Sequence, residues 1–171
     1  EHLEEVAERR DLEEQAGDLL EAEELLKEVG EDFYLSEFYL CCMLHSLTCG
    51  DRNTARHYTL ESLALARKIE DLDGICSRTV GLGYMAMNGG DYDQAEAFFL
   101  ESKSLAERIG CQWASDGDGL IQLALARGDY PQATRRAETL LARERAMKYH
   151  RSPSGAISAL ICICWSAGDY D

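Results

Sequence analysis

The sequence predicts an all-α fold, a solenoid of stacked antiparallel helix pairs. Three observations lead there. The dipeptide Gly-Asp recurs at Gly17-Asp18, Gly50-Asp51, Gly90-Asp91, Gly128-Asp129 and Gly168-Asp169, at intervals of 33, 40, 38 and 40 residues. Self-similarity at a period of this size is the signature of a repeat architecture. Between the recurrences, apolar residues follow helical spacing, and strand signals are absent. Finally, the 171 residues hold only 2 prolines, and both suit the start of a helix.

The helices are expected at 2–15, 18–29, 32–48, 51–69, 73–88, 91–109, 112–127, 129–149 and 153–167. The leading helix, 2–15, is the least regular, with Arg9-Arg10 at a position that is apolar in later repeats. Helices 18–29, 51–69, 91–109 and 129–149 each open at the Asp of a Gly-Asp pair. An Asp there is a good N-cap, because its carboxylate accepts from free amides of the first turn. Each of these helices carries an Ala five residues after the Gly: Ala22, Ala55, Ala95 and Ala133. The Gly itself ends the preceding helix, where a left-handed residue is wanted. Pro131 falls in the first turn of 129–149, and Ser152-Pro153 supplies an N-cap and first position for 153–167. The echo is longest between Leu60-Glu61-Ser62…Leu65-Ala66…Ile69 and Leu100-Glu101-Ser102…Leu105-Ala106…Ile109. One solenoid is expected over 1–171, in units of about 1–30, 31–70, 71–110, 111–150 and an incomplete 151–171. The chain stops as a new helix begins, so the natural protein is expected to continue.

Composition excludes several functions. A hydrophobic fraction of 46% is too high for a disordered chain. No apolar run is long enough to cross a membrane. The net charge of −15 repels phosphate and argues against a nucleic-acid surface. That charge is concentrated: residues 1–40 hold 15 acids and 3 bases, and the remainder 17 acids and 14 bases. The seven cysteines are odd in number, the opening residues are charged, and a reducing, cytoplasmic setting is expected.

The repeat resembles the tetratricopeptide repeat. Leu82-Gly83…Ala86 fits that family's first-helix signature, Gly90 and Tyr92 its corner, and Ala95 and Phe99 its second helix. The physical sense is packing: Gly83 and Ala95 are small where helices approach, and Tyr92 and Phe99 fill the space beside them. The other units have Cys42-Met43, Leu120-Ile121 and Leu160-Ile161 in place of Leu-Gly. The interval near 40 is similar to the long repeats of MalT-like and LuxR-type large regulators and related signal-transduction ATPases. Phrases such as Leu63-Ala64-Leu65-Ala66-Arg67 and Leu123-Ala124-Leu125-Ala126-Arg127 look like those arrays. Eukaryotic scaffolds with 40-residue repeats match as well. The resemblance implies a right-handed α-α superhelix with a concave groove.

Candidate chemistry is thin. Gly81-Leu82-Gly83-Tyr84-Met85-Ala86 matches a relaxed dinucleotide fingerprint, but Ser77-Arg78-Thr79-Val80 before it is no convincing strand. Helix packing is the expected role of Gly83. Cys42, His45 and Cys49 share one helix face by spacing, with Cys41 nearby, yet a structural zinc site needs four ligands and no Cys-x-x-Cys occurs. They are expected to fill a helix seam. Cys162 and Cys164 are two apart and cannot clamp one ion. His57 has no nucleophile at a telling spacing. The acidic run Glu21-Ala22-Glu23-Glu24, with Glu13-Glu14, is expected to be a solvated flank; docking of a basic partner is the alternative. Neither metal nor cofactor is expected, and no catalysis.

By resemblance, the first helix of each unit lines the groove. Its positions here are Glu37, Leu40 and Leu44; then Ser77, Val80, Tyr84, Met87 and Asn88; then Ser115, Asp118, Gln122 and Leu125. In the last helix they are Ser158, Cys162, Trp165 and Ser166. Tyr84 and Trp165 suit anchors for a bound chain, or fillers between repeats. None of these positions is Lys or Arg, which argues against a clamp for a C-terminal carboxylate. The expected function is a non-catalytic protein-binding, peptide-binding or sensor module of a larger cytoplasmic signalling or transcriptional regulator. The alternatives are a freestanding, self-associating scaffold and a small-molecule inducer-binding module.

Overall fold

The computed structural model describes residues 17–110, 118–146 and 160, and every described element is an α-helix. The first, α1, spans 17–29. It is followed by α2 (Asp32–Thr48), α3 (Arg52–Lys68), α4 (Leu72–Asn88), α5 (Tyr92–Ile109), α6 (Asp118–Ala126) and α7 (Tyr130–Ala146). No described helix is long and apolar enough to cross a membrane. Two compact bodies divide the chain, Glu1–Glu70 and Asp71–Asp171. The expected helix 32–48 agrees at both ends, and those over 51–69, 73–88 and 91–109 agree to within one residue. The expectations for 2–15 and for 153–167, residue 160 excepted, lie outside the described residues.

The corners explain why the helices stop. At Gly90 the backbone is left-handed, with φ of 83°. Gly90 N then donates to Met87 O at 3.0 Å and Asp91 N to Ala86 O at 3.0 Å, which satisfies two terminal carbonyls of α4. The Asp91 carboxylate turns forward and accepts from Gln94 N at 3.1 Å, capping α5. One Asp therefore closes one helix and opens the next. Gly50-Asp51 and Gly128-Asp129 repeat the arrangement, with caps to Thr54 N and Gln132 N at 3.0 Å each. The expected corner at Gly17-Asp18 does not exist. Both residues are helical, and Gly17 has no positive φ. The left-handed residue belongs to Gly30, where α1 does stop.

Turns also fall midway between the Gly-Asp corners. Asp71 caps α4 by accepting from Gly74 N at 3.0 Å. It escaped sequence reading because Glu70, not Gly, precedes it. Glu70 holds the left-handed conformation, with φ of 57°, the one non-glycine to do so among the described residues.

Packing within each helix pair follows one scheme. α2 and α3 run antiparallel: Lys68 pairs with Asp32 at 2.7 Å, and nearer the corner Tyr39 stacks on Tyr58 with ring centroids 5.8 Å apart. Between these, Ser62 Oγ donates to Ser36 O at 2.8 Å and Ser36 Oγ to Ser62 O at 3.1 Å. Forty residues on, Ser102 Oγ donates to Cys76 O at 3.2 Å, and Cys76 Sγ to Ser102 O at 3.7 Å, joining α5 to α4. Such reciprocal contacts need two backbones close together, and all four residues are buried.

One position on each helix of a pair then divides a shared volume. Phe99 on α5 lies against Gly83 on α4: a Cβ built on Gly83 would sit 2.5 Å from Phe99 Cε1. The same ring atoms are met by Gly119 on α6, equally without room for a Cβ. By repeat register, Met43 and Thr59 take these two places in the first pair, and Ile121 and Ala137 in the third. All are buried. Large and small residues thus trade sides while the space is filled each time. The exchange is not cost-free. Thr79 stands where Tyr39 does one repeat earlier, and its buried hydroxyl has no hydrogen-bond partner.

Two predictions follow from the corners and the seam. Glu70→Gly should raise stability by about 1 kcal/mol, since an L-residue in the left-handed region costs about that much. Urea denaturation measures it, and a lowered midpoint refutes the strain argument. Gly83→Ile and Phe99→Ala should each destabilise, by about 1–3 kcal/mol for the overpacked and about 3–5 kcal/mol for the emptied site. The double variant should cost at least about 1 kcal/mol less than their sum. Strict additivity would show that the two positions do not share a volume.

Candidate binding faces

The first helix of each pair spends one face on its partner and leaves an adjacent stripe open. On α2 the buried residues are Leu35, Ser36, Tyr39, Cys42, Met43 and Ser46. The neighbouring stripe is Glu37 and Leu40, both half-buried, then Leu44, which is 54% exposed. On α4 the buried residues are Gly74, Cys76, Arg78, Thr79, Leu82 and Gly83, four of them 40 residues on from those of α2, and the stripe becomes Ser77, Val80, Tyr84, Met87 and Asn88. The first four are half-buried and Asn88, in the last turn, is exposed. On α6, Gln122 and Leu125 are half-buried, and Asp118 opens the helix. Ser115, Ser158, Cys162, Trp165 and Ser166 lie outside the described residues.

Within the C-terminal body α6 packs beside both α4 and α5. Arg127 at its end binds Asp93 of α5 at 2.9 Å and also Glu96. Tyr84 divides its surface between two roles. Its ring meets Phe99 edge-on, with centroids 5.1 Å apart and planes at 71°, and it packs on the cluster of Ala95, Phe99, Leu120 and Leu123. It remains half-buried rather than lost in the core. Beside it Val80 and Met87 join the same cluster. The stripe on α4 therefore has an apolar floor, with Ser77 and Asn88 supplying polar groups along it. Asn88 carries both a donor and an acceptor, which suits a peptide backbone. Sequence reasoning passed over Arg78, a cation only 4% exposed on α4.

The other candidates resolve differently. Gly81 to Ala86 lies in the middle of α4, without the strand-to-helix turn that dinucleotide binding needs. The expected shared face of Cys42, His45 and Cys49 is split. Cys42 is buried in the seam, where burial pushes its thiol up, whereas His45 and Cys49 are exposed. A step of three residues from 42 to 45 turns far enough to leave the seam. In the acidic run, Glu21 and Glu24 are exposed, but Glu23 is engaged. It accepts from Tyr39 OH at 2.7 Å and pairs with Lys27 one turn on. Those two hydrogen bonds, Lys27 first, hold its carboxyl below the ordinary value of 4.5. Burial and then the Glu23 bond push Tyr39 up to about 12.

No protein-family model matches the chain, and a comparison with curated proteins finds no match. Among solved structures it is similar to the crystal structure of BtubC (BKLC) from P. vanneervenii. The TM-score is 0.70 at 18% identity, covering 94% of this chain and 70% of that one. At such identity the likeness is one of fold alone.

The Glu23–Tyr39 bond ties α1 to α2 and gives stability a pH signature. The Glu23 value is depressed on folding, so its contribution is whole above pH 4.5 and fades as pH falls through the folded value. The Tyr39 value is raised, so its contribution is whole below pH 10.0 and is lost as pH rises toward about 12. Tyr39→Phe should lower stability by about 1 kcal/mol at neutral pH. It should also remove a late transition from the alkaline tyrosinate absorbance titration. Loss of that amplitude near pH 10 instead of near 12 would show that Tyr39 is not held in this contact in solution.

Proposed function

We infer that the chain is a tetratricopeptide-type, right-handed helical superhelix that binds a protein or peptide along its first-helix stripes, without catalysis. Its place is within a larger cytoplasmic regulator, as a partner-sensing segment. The observation that carries this reading is the open stripe: in each described pair the second helix covers one face of the first and leaves the adjacent one half-exposed. On α4 that stripe combines an apolar floor of Val80, Tyr84 and Met87 with Ser77 and the exposed amide of Asn88. An extended or helical segment with apolar side chains at regular spacing fits such a surface. The stripe residues on α2, α4 and α6 include no Lys or Arg, so a partner held by its terminal carboxylate is disfavoured. Capping, corner chemistry and the reciprocal seam are what a stacked-pair solenoid requires, and they support the repeat family that the sequence resembles.

A photo-crosslinking amino acid tests the reading. It is placed at Ser77 or Asn88 on the stripe of α4, and at Leu100 or Ser104 on the exposed side of α5, in the full-length protein in its host. The stripe positions should yield a discrete crosslinked polypeptide and the α5 positions should not. Equal labelling at all four positions, or labelling from α5 alone, would overturn the assignment.

A further inference from the structure

On α1 one face is open that its equivalents bury. Left-handed residues follow α1, α3 and α5 at Gly30, Glu70 and Gly110, with φ of 73°, 57° and 70°. A shift of 40 residues therefore aligns the three helices. On α3 the aligned face is Thr59, Ser62 and Ala66, and Ser62 fixes its direction by bonding Ser36 of α2. On α5 it is Phe99, Ser102 and Ala106, with Ser102 bonded to Cys76 of α4. All six residues are at most 4% exposed. Their counterparts on α1 are Leu19, Ala22 and Leu26, followed by Val29. These stand 3, 4 and 3 residues apart, the spacing of a seam between two helices. Yet Leu19 is 40% and Val29 67% exposed, and Ala22 and Leu26 are only half-buried.

The two edges of that face differ. On one edge Glu23 turns to α2, where it accepts from Tyr39. The other edge runs one residue behind the seam at each turn, through Asp18, Glu21, Leu25 and Glu28, all exposed. Three carboxylates thus border an apolar strip. A helix laid on the strip buries Leu19, Leu25, Leu26 and Val29, and it needs Lys or Arg along the edge that meets these acids. Charge selects among the occupants. The 16 residues before α1 carry 7 acids and 2 bases, and a second copy of the chain brings a net charge of −15. Both add like charge to an acidic edge. We propose that the seam face of α1 docks an amphipathic, basic helix of a different polypeptide. Its apolar residues alternate at spacings of three and four, and its Lys or Arg side chains face Asp18, Glu21 and Glu28. The face shares no residue with the first-helix stripes and does not depend on the function proposed for them.

A photo-crosslinking amino acid at Leu19 or at Val29, in the full-length protein in its host, tests this, with Leu100 on α5 as the control position. Mass spectrometry of the adducts should identify one segment of another protein at both α1 positions and not at Leu100. That segment should carry Lys or Arg and the three-four apolar spacing. A fluorescent synthetic peptide of the segment should then bind the chain in an anisotropy titration. Combining Glu21→Gln with Glu28→Gln should weaken that binding about fivefold and flatten its salt dependence, as for exposed charge pairs. Leu25→Ser should weaken it as well, and Leu100→Ser should not. Circular dichroism should be the same in all variants, because every substituted residue is exposed. Adducts within the same chain or with a second copy, a segment without basic residues, no adduct, or an affinity unmoved by the paired Glu changes would each overturn the proposal.

Discussion

The distance between the two helices of a pair is the constraint on which the rest depends. The Ser36–Ser62 and Cys76–Ser102 contacts bring side-chain oxygen or sulfur to mid-helix carbonyls of the facing helix. A mid-helix carbonyl already accepts one intrahelical bond, so these contacts use its second lone pair and demand small residues on both sides. Once the backbones are that close, the volume available at the neighbouring crossing is set. Phe99 can occupy it only because Gly83 and Gly119 contribute no side chain. The same space is filled from the other helix by Met43 and by Ile121.

That constraint also decides which surface is left over. Each first helix uses about half its circumference against its partner, and the polar corner chemistry fixes where the helix begins and ends. The stripe beside the seam then cannot be fully buried without a further helix, nor fully polar, since its inner edge touches the cluster around Phe99. Tyr84 sits on that border: the ring edge contributes to the core while part of its surface remains open. The ion pairs lie elsewhere. Arg127 bridges to Asp93 and Glu96, Lys68 to Asp32, and Glu23 to Lys27, at helix ends or on the outer surface. Exposed pairs of this kind contribute little to stability, and the stripe's own charges are the acids Glu37 and Asp118.

Much of the fold was legible because corners have obligatory chemistry. Gly50-Asp51, Gly90-Asp91 and Gly128-Asp129 announce themselves: a left-handed residue and a capping carboxylate are needed side by side. Two positions break this code. Asp71 follows a Glu and was missed as a cap, while Gly17-Asp18 shows both letters inside a helix. Gly119 lay outside the register of the Leu-Gly signature, so nothing in the sequence marked it as the second wall against Phe99. The candidate site was less legible than the fold. Stripe and seam positions differ by a rotation of one residue, and both are populated by apolar and small side chains. The spacing of Cys42, His45 and Cys49 suggested one face, yet only the i, i+4 pair stayed together.

A volume shared across a seam also bears on how little residue identity the fold requires. Gly83 with Phe99, Met43 with Thr59 and Ile121 with Ala137 are three chemically unlike solutions inside one chain. Each fills the crossing that the close backbones leave, and the sum of the two side chains matters more than either residue. A fold built this way can keep its geometry while individual positions drift, provided changes come in facing pairs. Similarity to a solved structure at a TM-score of 0.70 with 18% identity is what such a rule permits. The outer edge of the stripe, Asn88 and the open part of Tyr84, is under no such pairing rule. Under the proposed function those residues are set by the partner and not by the fold, so the partner's chemistry is to be read from the stripe, and from Ser77, Tyr84 and Asn88 first.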